Sequence, residues 1–454
     1  MSLVNWIKSF TNKTKDEFDF GSLKSGSINI NITVTEFSDS VEESKGEALS
    51  KILKNKEGLS VLYYDDPFSK TFLNLETRTL FDLIDKGQDI LDKTEAEVLV
   101  WGYPEGDRIR LNFQSNRQFE TEDASFVSII DSLYIPSKLL EHNSGTPMPE
   151  AISTLIYGAI ISAIKPFNKE LKIHKKFLLK KIIDKLSKDS SAKFLSIEYL
   201  PYIMNFLGII YLSYAYETSD EKEFKVVKNL FETALKHQGL INNPIHIGCI
   251  YNHLGQLYDN ATEHIDKKPL SYFKNAITYY RYAQKYLGKY TYPYDYGYIS
   301  YRLAKLFFSY WRQKDDLQAL RDAVFQLRES EKIYTYALFP EFWAHIQGEL
   351  GYMLSLLGNI TKSNDISDLA IASFKNQQKV ITEKREPLDW AHIQKKIGEI
   401  YYRQGRALHD RALLEESLEY FHDALYIFEN MNLLEDVKAT TTSIARTSQN
   451  LSGL

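Results

Sequence analysis

The sequence predicts an α+β chain: a small α/β domain over residues 26–147, then an all-helical solenoid over residues 148–454. Three observations carry this. Pro293, Pro340 and Pro387 stand 47 residues apart, and Pro340-Glu341-Phe342-Trp343-Ala344-His345-Ile346-Gln347 returns as Pro387-Leu388-Asp389-Trp390-Ala391-His392-Ile393-Gln394. A fixed period of this size marks a solenoid, in which each helical pair buries its apolar face by stacking on its neighbours. Upstream, Ile28, Ile30, Ile32 and Val34 alternate with Asn29, Asn31 and Thr33, the period of a strand. From about residue 148 onward the periodicity is helical throughout. Pro149, Pro166, Pro201, Pro244, Pro269, Pro293, Pro340 and Pro387 fall at or just before the expected helix starts.

Taken in order, residues 1–25 read as a flexible polar tail, with Trp6, Ile7 and Phe10 among lysines. That apolar face is too short for stable insertion into a membrane. After the first strand, residues 40–55 have helical spacing ended by Gly58, and residues 60–64 form a short apolar strand. Residues 75–94 read as a second helix. Residues 97–101 are a strand, and Gly102 to Asp107 supply the turn of a hairpin returned by residues 108–113. The order β-α-β-α-β-β calls for parallel pairs with an antiparallel hairpin at one edge. The polar segment His142 to Pro149 has the composition of a linker.

The helical part carries recurring pairs: Leu207-Gly208, Leu254-Gly255, Leu303-Ala304, Leu350-Gly351 and Ile397-Gly398. A small residue there lets two helices approach closely. A second set places a small residue four before a large one: Ala276 and Tyr280, Ala323 and Leu327, Ala370 and Phe374, Ser417 and Phe421. These positions resemble those of tetratricopeptide repeats, and the phrase Pro-x-x-Trp-Ala-x-x-Gln-x-x-x-Gly is similar to a long-repeat variety common in bacterial proteins. The resemblance is clearest from about residue 196 to 430, with a capping helix after it. The 47-residue period exceeds the usual 34 or so. The excess is expected between the helices of a repeat, as in residues 357–368, and around residues 383–386. Val98-Leu99-Val100-Trp101-Gly102 resembles a small domain found ahead of such repeats, itself similar to the N-terminal module of TolB. These resemblances imply a fold and a domain order rather than an activity.

In that family the first helices line a concave groove. The corresponding positions are Tyr298, Tyr301, Lys305 and Phe308, then His345, Tyr352 and Ser355, then His392, Lys395, Glu399, Tyr402 and Arg403. This aromatic stripe with positive heads suits a peptide with acidic groups; the alternative is that several of its tyrosines are interhelical core.

With a formal charge of −5 and a pI near 6.1, nothing global points to nucleic acid or an anionic membrane. The single cysteine, Cys249, excludes an intramolecular disulfide and fits a reducing compartment. The start of the chain lacks a long apolar leader, and the longest mostly apolar run, Ala151 to Ile164, is too short to span a bilayer. A cytoplasmic protein is expected. His246-x-x-Cys249-x-x-x-His253 offers metal-capable groups on one helical face but lacks a fourth partner. It reads as a packed cysteine with two surface histidines, so no metal and no cofactor is expected. His345 and His392, one repeat apart, are too distant to share a metal. Lys165 to Lys193 holds ten lysines. It reads as a solvated helix face, or as a peripheral membrane contact in the alternative. Ten tyrosines fall between Tyr279 and Tyr301, yet too few cations accompany them for nucleic acid. No phosphate loop, nucleophile elbow or zinc-protease motif occurs. The functional expectation is a non-enzymatic scaffold or adaptor holding a protein or peptide. A membrane-peripheral assembly factor and a sensor with a ligand at the α/β head are the alternatives.

Overall fold

The computed structural model describes residues 28–37, 44–67, 77–116, 130–141, 148–166, 168–188, 196–216, 220–264 and 270–454. The expected tail, most of the expected linker and Lys193 lie outside them. Contacts divide the chain into two compact units, Met1–Ile299 and Ser300–Leu454.

The first unit opens with β1 (Ile30–Glu36), α1 (Lys45–Leu53), β2 (Leu59–Pro67), α2 (Thr77–Thr94), β3 (Val98–Glu105) and β4 (Arg108–Ser115). These are the elements expected from the sequence. A fifth strand, β5 (Ser132–Pro136), was not expected. The sheet order is β2-β1-β3-β4-β5, parallel among β2, β1 and β3 and antiparallel from β3 to β5. Ile30, Ile32 and Val34 are buried, as their alternation requires. Thr33 and Thr35 are buried as well, because the other face is covered; Thr33 donates to Thr94 Oγ1 on α2 at 2.8 Å.

The helices that follow in this unit are α3 (Glu150–Ala163), α4 (Lys169–Lys188), α5 (Leu200–Ala215), α6 (Glu221–Lys236), α7 (Ile245–His264) and α8 (Leu270–Tyr286). Helix α3 is buried on nearly every side, which explains its unbroken apolar sequence. One buried cluster runs from Ile30 to Leu257 and takes in the sheet together with α3 to α7. Sheet and helices therefore share a core across residue 147, and the contacts thin at Ile299/Ser300 instead. Residues 1–147 produced alone would expose the sheet face that α3 and α5 cover. Such a fragment is expected to lack a cooperative melting transition by circular dichroism; a sharp transition would show that the head stands alone.

Helix α9 (Pro293–Lys314) contains the division between units. The second unit continues with α10 (Leu317–Glu331), α11 (Pro340–Thr361), α12 (Asn364–Gln377), α13 (Pro387–Leu408), α14 (Arg411–Asn430) and α15 (Leu434–Ser452). The chain is thus a small five-stranded sheet followed by a helical repeat region, with thirteen α-helices after the sheet among the described residues.

The period is kept in atomic detail. A Cβ added at Gly351 would lie 2.8 Å from the Phe374 ring, and one at Gly398 would lie 2.9 Å from Phe421. Gly255 meets Tyr280, and Gly208 meets Phe231, in the same way in the first unit. Each glycine of the first helix thus seats the large residue of the second. Asp315, Lys362 and His409, 47 residues apart, adopt φ near +50°. The residue after each, Asp316, Ser363 or Asp410, caps the next helix through its side chain. Two residues therefore suffice to turn between helices.

That corrects one part of the expectation on length, while residues 383–386 do lie between α12 and α13 as expected. Helices α9, α11 and α13 each run 22 residues, so the excess within a repeat is helix rather than loop. The repeated glutamine has a structural task too. Gln394 is buried, accepts from Gln378 at 2.9 Å and donates to Asp423 at 2.9 Å. One repeat earlier, Gln347 donates to Glu331 and accepts from Asn376 at 3.4 Å. Each glutamine ties its own second helix to that of the preceding repeat. Helix α15 ends the stack with Thr440, Ser443 and Thr447 turned inward and a polar outer face, as a cap requires.

Candidate functional site

The stripe expected to line a groove is brought together, largely by pairing with itself across repeats. In the second unit, Tyr301 is fully buried, and its hydroxyl lies 2.8 Å from His345 Nε2. Lys305 bonds Glu349 at 3.3 Å. The Phe308 ring stands 5.7 Å from Tyr352 and 5.4 Å from Trp311. Arg403 donates to Ser355 Oγ at 2.7 Å. His392 packs on Phe428 with ring centroids 5.1 Å apart, and Lys395 reaches Asp436 at 3.9 Å. Glu399 accepts from Ser443 and Arg446, and Tyr402 is buried under the Arg446 guanidinium. In the first unit, Tyr298 is half-buried with partners of its own.

The tyrosines thus divide. Tyr301 and Tyr402 are interhelical core, whereas Tyr352 keeps 44% of its surface and stands beside half-buried Phe308 and Trp311. Tyr352 is thus the most exposed aromatic ring of the stripe. Sequence reasoning found Phe308 and Tyr352; it missed Trp311, three residues on from Phe308 on the same helix face.

A second constellation lies in the first unit. His246, Cys249 and His253 share one face of α7, as their spacing requires, and all three are buried rather than flanked by solvent. The reading of surface histidines is therefore corrected: the sheet covers this face. His253 Nε2 lies 3.2 Å from Asp131 Oδ1 and its Nδ1 lies 3.1 Å from Gln256 Oε1. Both ring nitrogens face acceptors, the geometry of a doubly protonated ring that donates twice. Burial alone would lower the His253 pKa, and the Asp131 carboxylate more than reverses this, leaving it above 6.5. Cys249 is fully buried, and burial together with Asp131 pushes its thiol well above the usual range, so it is no thiolate nucleophile. His246 sits against Tyr134, its Nε2 3.4 Å from the hydroxyl, and burial lowers its pKa to about 4. Among the described residues no group of three or more His, Cys, Asp or Glu has the geometry to hold a metal ion. The constellation instead joins the segment leading into β5 to helix α7. Its helical half was legible from spacing; Asp131, far upstream beside an unexpected strand, was not.

The lysine-rich helix α4 buries one of its lysines and pairs others with carboxylates at the surface. Lys175 is buried and donates to the Ser162 and Ile164 carbonyls at 3.0 and 2.6 Å, closing the C-terminal end of α3. Lys181 pairs with Glu57 at 2.8 Å, and Lys185 pairs with Glu150, which Lys56 also holds at 3.0 Å. Lys185 and Lys56 bring the Glu150 pKa down to about 2. At the α/β head, the strand order reverses between β1 and β3, where such sheets usually bind ligands beyond the carboxyl ends. The ring of Phe37 is buried there against Gly102. No described helix is long and apolar enough to cross a membrane.

No family model matches the sequence, and no curated protein matches it. Among the solved structures that match is a circular tandem repeat protein with novel repeat topology and enhanced subunit contact surfaces. It is 12% identical, with 66% of this chain and 72% of that chain covered and a TM-score of 0.24.

Proposed function

We propose that this chain is a non-enzymatic interaction scaffold of the long tetratricopeptide-like kind, working in the cytoplasm and holding a protein or peptide on the first-helix face of its second unit. The observation that supports this most is the trio Phe308, Trp311 and Tyr352: large aromatic rings held by two repeats, with Tyr352 exposed. Aromatic anchors of this kind supply most of the energy at protein interfaces. The Pro-x-x-Trp-Ala-x-x-Gln-x-x-x-Gly phrase supports the tetratricopeptide-like assignment through the tasks found for its Gln and Gly. The TolB-like resemblance of the head stays with the β-α-β-α-β order and adds no activity. The membrane-peripheral reading is weakened by the burial of Lys175 and by the carboxylate partners of Lys181 and Lys185, and the ligand-sensor reading by Phe37 at the strand ends.

The test is capture of a cellular partner by the full chain and by Phe308→Ala/Tyr352→Ala. Tyr352 is exposed and Phe308 only half-buried, unlike Tyr301, so the double variant is expected to stay folded, melting no more than a few degrees below the parent. Loss of at least one captured protein, by roughly tenfold or more as for anchor residues, is the expected result. Undiminished capture of every partner by the folded variant would move the binding surface elsewhere.

A further inference from the structure

Helix α13 carries more positive charge than the chain around it neutralises. Arg446 lies 4.2 Å from the centroid of the Tyr402 ring and Arg406 lies 5.8 Å from it. Arg403 is the next residue along and close enough to Arg446 for the two to repel. One carboxylate, Glu399, acts on both Arg403 and Arg446, and Arg446 and Ser443 take its bonds. Arg403 is half-buried, and its one hydrogen bond goes to the neutral hydroxyl of Ser355. Arg406 is exposed and makes no ion pair among the described residues. Burial and the neighbouring Arg446 together hold the Arg403 guanidinium below its ordinary range. Glu399 attracts Arg403 but gives its bonds to Ser443 and Arg446, so this partly desolvated cation has no carboxylate bonded to it, and an incoming anion can supply one.

The surroundings extend this charge in two directions. One turn back from Ser355 on α11 is Tyr352, backed by Phe308. On the other side of Tyr402, whose hydroxyl accepts from Asn450 at 3.3 Å, is a cavity of about 420 Å³. Arg406, His409, Gln449 and Asn450 line it, a set of side chains rich in donors.

We propose that this face of α11, α13 and α15 binds an acidic peptide segment, with carboxylates at Arg403 and Arg406 and an apolar residue against Tyr352. The proposal rests on the scaffold reading and gives its partner a chemistry. Guanidinium groups suit the task because their planar fork meets a carboxylate with two parallel bonds. The surplus charge and the apolar rings lie on neighbouring turns, so a short extended segment can satisfy both.

The test uses the full chain and a fluorescein-labelled peptide of alternating Glu and Phe, with a Gln-for-Glu peptide and an oligothymidylate as comparisons. The acidic peptide is expected to bind about tenfold tighter than its Gln counterpart, as charge-assisted bonds allow. Arg403→Gln/Arg406→Gln is expected to abolish that preference. The exposed single change Arg406→Gln keeps the test valid if the double variant melts early, and is expected to remove part of the preference. Equal binding of the two peptides, tighter binding of the oligothymidylate, or a preference unaltered by either variant would overturn the proposal. Partner capture that survives the double variant also overturns this site while leaving the scaffold reading in place. Loss of capture in Phe308→Ala/Tyr352→Ala together with loss of acidic-peptide preference in the arginine variants supports both.

Discussion

Asp131→Ala is expected to destabilise the first unit by ~3–5 kcal/mol, the usual consequence of removing one partner from a buried ion pair. The imidazole of His253 would be left between α7 and the sheet with its charge uncompensated, stacked on Phe231 and bonded to Gln256 alone. Chemical denaturation monitored at neutral pH measures the effect. An unchanged midpoint would mean that the pair contributes nothing. The pH dependence has a definite sign. The folded pKa of His253 lies above the unfolded 6.5, so its contribution is complete below pH 6.5 and is lost as pH rises through the folded value. His246 acts oppositely: its folded pKa of about 4 lies below 6.5, so stability falls as pH drops from 6.5 toward 4. That gap corresponds to roughly 3 kcal/mol. Glu150, lowered from 4.5 to about 2 by Lys185 and Lys56, adds a further loss below pH 4.5. Stability is therefore expected to peak near neutrality. Asp131→Ala should flatten the alkaline side and leave the acid side sloping.

The second large effect is expected at the repeat. Gly351→Leu would push a branched side chain into the Phe374 ring, where even a Cβ comes within 2.8 Å. Overpacking of this kind costs about 1–3 kcal/mol. For a unit of this size that lowers the melting temperature by roughly 2–10 °C. Gly351→Ala, which adds the Cβ alone, is expected to fall between parent and Leu. A single methyl already requires the buried Phe374 ring to shift, and the rest of a leucine side chain requires more. A calorimetric scan that finds both variants melting with the parent would contradict the close helix contact on which the repeat alignment depends.

What the sequence disclosed follows from the range of the interactions involved. The Gly351–Phe374 and Gly398–Phe421 contacts join residues 23 apart inside a repeat, so they recur with it and can be read from spacing. The strands β1 to β4 carry alternation or turn residues and were legible for the same local reason. Strand β5 was not: its Ser132-Leu133-Tyr134-Ile135-Pro136 is buried on both faces, and a segment covered on both sides loses the polar–apolar alternation that marks a strand. Spacing between the Leu-Gly pair and the small residue of the second helix puts extra residues between them but does not say that they are helical; the helices end at Asp315, Lys362 and His409, whose left-handed backbone is invisible in a sequence. Repeat spacing places the stripe positions on the first helices. Whether each side chain meets the next repeat or a partner depends on how successive helices stack, which spacing alone does not encode. Hence Tyr301 and Tyr402 proved to be core, and Tyr352 remained open. The Asp131–His253 pair spans 122 residues, and nothing local joins them.

Hydrogen–deuterium exchange of the full chain, alone and in complex with a captured partner, tests the scaffold reading most directly. Added protection is expected at α11 and α13, on the turns carrying Tyr352, Ser355 and Arg403, with α12 and α14 unaltered. Protection confined to the α/β head or to helix α4, with α11 and α13 exchanging as in the free chain, would contradict it.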